Sequence, residues 1–429
     1  MLWPIRRLRE AWMSKHVAIV GGGVIGLATA YALVREGHRV SLFDRHAEVA
    51  EEASHANGGQ LSYRYVAPLA DAGVPLKALG WMLQGDAAPL KFRLRMDPRQ
   101  WRWCLAFLAA CRRRVNHRNA AHLLRLALYS QQVLAEWRAA DALDGFAWRS
   151  NGKLVVYRSA ASLRGAAANL ADSSQQVLSR EQCLQLEPAL QGMAAQLAGG
   201  IFTAGDETAD CLRFCQSLEA RLQASGRYRR HGAEVAGFAR EQGRLKALDL
   251  GGEHFEADDF VLAAGNHSAA LARALGLHLP IYPLKGYSLT LALDAQAVAP
   301  EVSVTDFDRK VVYARLDRQL RVAAMVDIGA RHAQPDAARL EALRRLGANT
   351  FPQAGDYRRA HAWAGLRPST PEGTPLLGAT GLRNLWLNTG HGSLGFTLAC
   401  ASGQTLAALI AGRDSPIALE GLCLPSTHR

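Results

Sequence analysis

The chain has 429 residues, of which 49% are hydrophobic and 21% are charged, and its formal net charge is +12. This composition is typical of a globular protein that is long enough for two domains. It has no uninterrupted apolar run of about 18 residues, so a transmembrane helix is not expected.

The positive charge is concentrated in three segments, 6–9, 91–102 and 112–118. The last two flank the apolar stretch 101–108. This pattern fits a helix that lies on an anionic membrane surface. It also fits a helix with one face in the core and a solvated basic face, which the sequence alone favours. Basic proteins also bind nucleic acids, but the chain lacks a nucleic-acid-binding motif, so no nucleic-acid partner is expected.

Residues 1–13 are predicted to be an N-terminal extension. They contain three arginines but no apolar core of a signal peptide. Translation starts at Met1 or at Met13, and neither start gives an exported protein. The seven cysteines are scattered and form no C-x-x-C motif, which predicts neither a disulfide framework nor a metal site. We therefore expect a cytoplasmic protein without a bound metal.

The first predicted elements are a strand, a glycine-rich turn and a helix. The strand 16–20 runs into Gly21, Gly23 and Gly26 with the spacing G-x-G-x-x-G, and a second strand ends on Asp44. The three glycines permit, in order, a tight turn, close approach of a pyrophosphate and close helix–strand packing. The helix N-terminus offers N–H groups to phosphates, and the carboxylate at 44 can accept hydrogen bonds from ribose hydroxyls. The pattern predicts an adenine dinucleotide and leaves NAD and FAD open.

Further elements follow along the chain, and the last of them repeats the strand–glycine loop–helix pattern in a place where it can meet the same cofactor. In chain order they are a glycine-rich loop at 54–60, a basic helical region at 97–140, a strand at 152–157, a helix at 211–224 with Asp210 as N-cap, strands near 233–235 and at 256–265, a strand from 283, a hairpin of 311–315 and 319–324 that turns at 317–318, a strand at 384–388, a glycine loop at 389–395 and a helix at 396–411.

These elements predict an α/β fold. A Rossmann-like cofactor domain with a parallel sheet is interleaved with an α+β substrate domain that carries a mixed or antiparallel sheet. The cofactor domain is assigned to 14–95, 190–275 and 360–429, and the substrate domain to 96–189 and 276–359.

Several further runs, in a fixed order, are shared with one superfamily. In them the chain resembles the D-amino acid oxidase/glycine oxidase superfamily of FAD-dependent oxidoreductases, and within it the bacterial D-amino acid dehydrogenase small subunits. The resemblance covers essentially everything after Met13. The runs are 56–60 (ANGGQ), 73–78 (GVPLKA), 206–211 (DETADC), 282–290 (YPLKGYSLT), 363–368 (WAGLRP), 370–375 (TPEGTP) and 385–392 (LWLNTGHG).

Two departures from the superfamily's patterns concern the substrate. The loop residues 57–59 and 62–65 differ from the form associated with alanine-degrading members, which leaves side-chain preference open. Ser393 stands where the glycine oxidases carry arginine, which argues against glycine oxidase itself.

The resemblance implies that the dinucleotide is FAD and that the glycine loop at 389–395 completes its binding site. It is expected to be non-covalent, because 366–374 contains no cysteine, the residue through which sarcosine oxidases attach their flavin. The residues expected to bind it are Gly21, Gly23, Val24, Ile25, Gly26, Asp44, Arg45, Ser54, Asn57, Gly58, Gly59, Gln60, Val235, Ala264, Gly265, Gly365, Gly390, His391, Gly392, Ser393, Leu394 and Gly395.

Oxidation of an α-amino acid by a flavin needs mainly positioning, because the lone pair of the neutral amine drives the Cα hydride onto flavin N5. The superfamily motif implies that Arg367 holds the substrate carboxylate in a bidentate pair. Tyr287 and Tyr313 are candidate hydroxyl donors, although core packing is the simpler interpretation of both. His391 is a candidate for tuning the flavin ring or shaping the pocket.

The resemblance implies a dehydrogenase that converts D-amino acids to 2-oxo acids and ammonia and passes electrons to a quinone or another respiratory acceptor. Such an enzyme is expected in the cytoplasm, with peripheral contact to the inner face of the cell membrane. Two alternatives stay open. One is an oxygen-using amine oxidase that acts on glycine, sarcosine or a cyclic imino acid. The other is the flavin subunit of a hydroxyproline-type dehydrogenase complex.

Overall fold

The computed structural model describes residues 14–82 and 85–424. Its strands are β1 (His16–Val20), β2 (Arg39–Asp44), β3 (Gln60–Leu61), β4 (Leu90–Phe92), β5 (Lys153–Tyr157), β6 (Gln175–Leu178), β7 (Gly199–Thr203), β8 (Glu207–Thr208), β9 (Tyr228–Gly232), β10 (Gly237–Glu241), β11 (Arg244–Asp249), β12 (His254–Glu256), β13 (Asp259–Leu262), β14 (Tyr282–Ala292), β15 (Ser303–Asp306), β16 (Val311–Leu316), β17 (Gln319–Ile328), β18 (His361–Ser369), β19 (Leu376–Ala379) and β20 (Leu385–Thr389). Its α-helices are α1 (Val24–Arg35), α2 (Val74–Met82), α3 (Pro98–Ala110), α4 (Arg113–Asp141), α5 (Ala160–Ala167), α6 (Arg180–Leu186), α7 (Cys211–Ala224), α8 (Ser268–Ala274), α9 (Ala337–Thr350) and α10 (Gly395–Ile410).

Six strands form a mostly parallel sheet in the order β19-β20-β13-β1-β2-β9. Strand β1 is parallel to β2 and β13, and only the edge strand β19 runs antiparallel to its neighbour. The sequence of β1 is almost entirely apolar, as expected for a strand that is covered on both faces. Helices α1, α4, α7 and α10 cover one face, and the small antiparallel sheet β10-β11-β12 covers the other. The predicted Rossmann-like parallel sheet is confirmed.

A second, mixed sheet has the order β18-β14-β17-β16-β15-β5-β7-β6, with β4 added beside β17. Because side chains alternate along a strand, this sheet has two different faces. Leu154, Tyr313 and Val322 belong to a core that includes α9. Lys153 and Val312 point to the other face, which borders a large cavity. The predicted mixed sheet of the second domain is confirmed.

Strand pairing and packing change the predicted domain limits. β4 lies within 14–95 and β18 within 360–429, but both pair with strands of the second sheet, and so does β7 from within 190–275. Helix α4, from within 96–189, packs with α10 in the core of the first sheet. These four assignments were wrong. A segment belongs to the domain whose sheet it pairs with or packs against. By this criterion the chain crosses between the two sheets more often than predicted.

Local predictions had mixed outcomes. The hairpin is confirmed, with Leu316 paired to Gln319 across the turn. The N-cap is also confirmed, because Asp210 accepts a hydrogen bond from the backbone N–H of Arg213 at 3.1 Å. The strand expected near 233–235 is present as β9, but it ends at Gly232, and residues 233–235 form the loop after it. The N-terminal extension lies outside the described residues.

Within the part of the chain that the structure describes, one helical stretch, Gly392–Ile410, is long and apolar enough to cross a membrane. Its mean hydropathy is 1.4, but 72% of it is buried inside the protein. It packs against α1 and α4, so it serves as a core helix of the first sheet.

Candidate functional site

A cavity of about 890 Å³ is lined both by loops at the carboxyl ends of the parallel strands and by the inner face of the mixed sheet. Ligands of open α/β sheets bind at this carboxyl edge. Of the candidate catalytic side chains, Arg367, Tyr287 and His391 line it. The predicted cofactor-binding residues that line it are Gly21, Gly23, Val24, Ile25, Asp44, Arg45, Ser54, Asn57, Gly58, Gly59, Gln60, Val235, Ala264, Gly265, Gly365, Gly390, His391, Gly392, Ser393, Leu394 and Gly395.

The first glycine loop has the geometry that a pyrophosphate site requires. Gly21 has φ +117°, and a Cβ there would lie 2.5 Å from the carbonyl oxygen of Ala263. A Cβ on Gly26 would lie 1.9 Å from the carbonyl oxygen of Gly21. Gly26 therefore lies behind the cavity and permits the close packing of α1 on the loop. The backbone at the start of α1 faces the cavity, where N–H groups can meet phosphate oxygens.

Asp44 and Arg45 are held in place by neighbours at the end of β2. The carboxylate of Asp44 accepts hydrogen bonds from the N–H of Gly22 at 2.6 Å and from the N–H of His46 at 2.9 Å. It therefore fixes the glycine turn as well as facing the expected ribose position. Arg45 lies 2.8 Å from a ring nitrogen of His267 and forms an ion pair with a neighbouring carboxylate.

The second glycine loop brings an unpaired imidazole to the cavity. Gly390 and Gly392 have φ of +80° and +55°, and α10 begins at Gly395. His391 between them is 2% exposed, and neither ring nitrogen has a hydrogen-bond partner among the described residues. Burial lowers the pKa of His391 to about 3, so the ring is neutral. These orphaned polar atoms and the nearby helix N-terminus fit the polar edge of a flavin.

Arg367 lies across the mixed sheet rather than pointing into solvent. Its guanidinium crosses β14 at Gly286, where a Cβ would lie 2.2 Å from Nη2, and Nη1 donates to the carbonyl oxygen of Met325 at 3.1 Å. Met325 has φ +69° and lies opposite a register irregularity between β14 and β17. Burial lowers the pKa of Arg367 to about 10, yet it stays charged at neutral pH. The remaining N–H groups suit a carboxylate in the cavity.

The model of the family described as FAD dependent oxidoreductase matches residues 16–409. The chain belongs to this family. It is 57% identical over 412 residues to D-amino acid dehydrogenase 2 of Pseudomonas aeruginosa, which covers 96% of this chain and 98% of that protein. It is 42% identical to D-amino acid dehydrogenase of Paramagnetospirillum magneticum, covering 95% of this chain and 97% of that protein.

Solved structures of lower identity share the fold. Glycine oxidase from Geobacillus kaustophilus has a TM-score of 0.72 at 23% identity, covering 97% of this chain and 99% of that chain. L-proline dehydrogenase from P. horikoshii has a TM-score of 0.74 at 14% identity, covering 96% of both chains. The cofactor of this FAD-dependent oxidoreductase is FAD, and its two glycine loops and the neutral imidazole fit that group.

The two tyrosines predicted as hydroxyl donors are engaged elsewhere in this oxidoreductase. Tyr313 faces the core, does not line the cavity, and donates to Thr350 Oγ1 at 2.9 Å. The assignment of Tyr313 to the pocket is therefore corrected. Tyr287 borders the cavity, but its hydroxyl donates to Asp327 at 2.7 Å, and the same carboxylate pairs with buried Arg339. Tyr287 is thus part of a buried network beneath the site and is not a free donor.

Sequence reasoning missed a polar cluster at the β5 side of the cavity. The ammonium of Lys153 donates to Gln60 Oε1 at 3.1 Å and to Ser62 Oγ at 2.7 Å, and it lies 4.3 Å from the ring centroid of Tyr65. Burial lowers the pKa of Lys153 to about 8 and raises that of nearby Asp206 to about 6. The one available signal was a lysine at the start of the apolar strand KLVVY.

Two further cavity residues, Trp363 and Met325, were not predicted as site residues from the sequence. Trp363 lines the cavity, and its ring stacks with His55 at a centroid distance of 6.5 Å. Met325 supplies the carbonyl that orients Arg367, but a positive φ at a methionine has no sequence signature.

His391 makes stability depend on pH. Its folded pKa of about 3 lies below the ordinary value of 6.5, so between these values the unfolded chain binds a proton that the folded chain does not. Stability is therefore lost as pH falls from 6.5 towards 3, by up to about 1.4 kcal/mol per pH unit. Replacing His391→Asn should reduce this loss, as measured by unfolding at pH 7 and at lower pH values.

The raised pKa of Asp206, about 6, has the opposite effect on stability: the folded chain takes up a proton there below pH 6 and gains stability as pH falls. The wild type and the variant are therefore compared at each pH, so that this contribution is the same in both. Exposed His117→Asn on α4 is the control. An equal pH dependence in the wild type and in His391→Asn would contradict the prediction.

Proposed function

We propose that the protein is a dehydrogenase that oxidises D-amino acids to 2-oxo acids and ammonia with non-covalently bound FAD. The observation that carries this proposal is the buried guanidinium of Arg367, which lines the same cavity as the two glycine loops. Among the described residues it donates one hydrogen bond, at 3.1 Å, to the carbonyl oxygen of Met325. The names of the close relatives support D-amino acids as the substrate class.

The side chains around the cavity bind and orient the substrate. Arg367, directed by the carbonyl of Met325, pairs with the substrate carboxylate in a bidentate geometry. Because His391 is neutral, it adds no positive charge to the cavity, and its ring can donate one hydrogen bond and accept another. Bound FAD would supply a hydride acceptor for the Cα–H bond of the substrate in its neutral-amine form, and the imino acid would then hydrolyse in water.

Anaerobic mixing with amino acids tests the proposal. The purified yellow protein should bleach with at least one D-amino acid and not with the L enantiomer, as followed by flavin absorbance. If no member of a broad D-amino acid panel bleaches it, the proposal is wrong. A flavin that becomes reducible only after a partner chain is added would point to the subunit of a larger complex. Stoichiometric peroxide formation in air would point to an oxidase.

We further propose that the electron acceptor is a quinone or another respiratory carrier and that the protein docks on the inner face of the cell membrane. Arg112, Arg113 and Arg114 are exposed where α3 meets α4, as anionic lipid binding requires. The large apolar side chains exposed in the described residues lie mostly in this region: Leu69, Leu76, Leu94, Met96, Trp101, Leu105 and Leu108.

Charge reversal tests the membrane contact. Changing Arg112, Arg113 and Arg114 together to glutamate should release the protein from vesicles that contain phosphatidylglycerol, because each basic residue near the surface contributes about 1 kcal/mol. The measurement is co-sedimentation. Reversal of the exposed arginines 345, 358 and 359 alters net charge equally and should leave binding unchanged. Equal loss in both variants would indicate a general charge effect and exclude this docking face.

A further inference from the structure

Beside Arg367 the cavity has a part with apolar walls, called the apolar recess below. A small hydrophobic cluster, formed where α3 and β4 meet the mixed sheet, supplies these walls. Trp103 and Phe107 of α3 stack there, with ring centroids 5.1 Å apart and an angle of 14° between the ring planes. The wall residues used below are Ala70, Leu90, Trp103, Phe107, Leu284 and Val326.

The walls of the recess are held on the same strands as the guanidinium of Arg367. That guanidinium lies over Gly286 of β14, and Leu284 projects from the same face of the strand two residues earlier. On β17, Val326 directly follows the residue whose carbonyl oxygen accepts the hydrogen bond of the guanidinium. The indole N–H of Trp103 donates at 2.8 Å to the backbone carbonyl of β18 that comes two residues after Arg367. The recess and the guanidinium therefore belong to one site.

We propose that the apolar recess holds the side chain of the substrate and selects D-amino acids with large apolar side chains, such as D-leucine and D-phenylalanine. This inference rests on the proposed function and names the substrate class of the same site. A carboxylate that is paired with Arg367 places the side chain of its amino acid only a few bonds away. The recess is then the nearest apolar surface that this side chain can cover.

The aromatic wall sets the preference for size. The flat faces of Trp103 and Phe107 offer apolar surface that a branched or aromatic side chain covers and that the methyl group of D-alanine hardly covers. One additional methylene group in an apolar pocket changes the relative rate with a substrate by roughly 10- to 200-fold. D-leucine and D-phenylalanine should therefore react about tenfold faster or more than D-alanine at equal low concentration.

Charged side chains are disfavoured in the recess because none of the six wall residues carries a charge. Asp71, which follows Ala70, is exposed and lines the cavity. Its carboxylate repels the distal carboxylate of D-glutamate, which would also lose its hydration against an apolar wall. D-arginine is the opposite case, because its guanidinium can pair with Asp71. Exposed ion pairs contribute little, so D-arginine should react more slowly than D-leucine.

The first test compares substrates on the wild-type protein. Anaerobic bleaching of the flavin at low substrate concentration gives a second-order rate constant for D-phenylalanine, D-leucine, D-alanine, D-glutamate and D-arginine. The two apolar substrates should exceed D-alanine by about tenfold or more, and D-glutamate should be the slowest. A rate constant for D-alanine or D-arginine equal to or above that of D-leucine would overturn the inference.

The second test is Phe107→Ala, which removes one ring from the wall. The ratio of the rate constants for D-phenylalanine and D-alanine should fall by about tenfold, because only the larger substrate contacts that ring. Phe255→Ala is the matched control and should leave the ratio unchanged, because it removes the same ring from a partly buried position on β12 that does not line the cavity. If Phe107→Ala does not fold, Ala70→Leu fills the recess and should also lower the ratio.

A ligand that cannot be oxidised separates the recess from the proposed function. Hydrocinnamate has the carboxylate and the ring of phenylalanine without the amine, and propanoate lacks the ring. In calorimetry the holoenzyme should bind hydrocinnamate about tenfold more tightly than propanoate, and Phe107→Ala should reduce this difference. If no D-amino acid bleaches the wild type while the difference is found, the proposed function fails and the recess stands as a site for apolar carboxylates. Equal affinity for both acids, or equal effects of Phe107→Ala and Phe255→Ala, would exclude the recess.

Discussion

Replacing Arg367→Met is expected to remove nearly all activity towards D-amino acids while leaving the fold intact or more stable. Loss of a hydrogen-bonded charge that pairs with a ligand costs about 2–5 kcal/mol, which corresponds to a fall of roughly 30- to 4000-fold in kcat/KM. Arg367→Lys should recover only part of this loss, because an ammonium keeps the charge but not the planar fork. Anaerobic bleaching rates at increasing D-amino acid concentration measure the effect.

The stability part of this prediction follows from the surroundings of the guanidinium. Burial lowers the pKa of Arg367 to about 10, and among the described residues the guanidinium donates one hydrogen bond, to the carbonyl oxygen of Met325. The carboxylate of Asp327 attracts the guanidinium and offsets part of its desolvation, but it already pairs with Arg339. The desolvation that is left uncompensated is relieved by an apolar side chain of similar length. The melting temperature of the holoenzyme without substrate should therefore stay the same or rise.

Arg321 on β17 of the same sheet provides the matched control, because it is also buried but lies beside a carboxylate. It donates to the carbonyl of Asn57 at 2.7 Å and lies 3.5 Å from the carboxylate of Asp210. Arg321→Met should lower stability by about 3–5 kcal/mol, because the buried carboxylate of Asp210 loses its cationic partner and keeps only its N-cap hydrogen bond. If Arg367→Met destabilises the protein as much as Arg321→Met and substrate binding is unaffected, Arg367 is structural and the carboxylate site lies elsewhere.

The two cofactor loops could be predicted from sequence because their rules are local. Gly21 and Gly26 are needed for contacts within a few residues or to the adjacent strand, and the spacing itself carries that information. Arg367 could be found only from a motif. Its position depends on Gly286 of another strand and on the positive φ of Met325, and neither is encoded in its own neighbourhood.

The wrong assignment of Tyr313 shows that the residue pattern of a strand does not always predict which of its faces borders a cavity. Strand β16 reads VVYARL, with apolar residues on both of its faces, so the sequence does not reveal which face borders the cavity. The structure places Val312 at the cavity and Tyr313 in the core. The three-residue strand β4 was misassigned for a related reason, because its partner β17 is distant in sequence and the pairing depends on the whole fold.

Replacing Gly26→Ala is expected to give a protein without bound FAD. The new Cβ would lie 1.9 Å from the carbonyl oxygen of Gly21 and 3.0 Å from its carbonyl carbon. Both contacts are with backbone, so α1 and the glycine loop must move apart. That movement withdraws the helix N-terminus from the pyrophosphate position. The cost exceeds the roughly 1–3 kcal/mol that an overpacked side chain usually causes, since no side chain can rotate away.

The control for this change is Gly165→Ala in the short helix α5. That glycine is exposed, and a Cβ there would meet no atom within 4 Å. An alanine in an open helical position should stabilise the protein by about 0.5–1 kcal/mol through backbone entropy. The ratio of flavin to protein absorbance after purification, followed by titration with added FAD, measures the cofactor effect in both variants. A yellow Gly26→Ala protein with unchanged FAD affinity would mean that the loop tolerates separation from α1, and that the second glycine loop around His391 holds the cofactor without it.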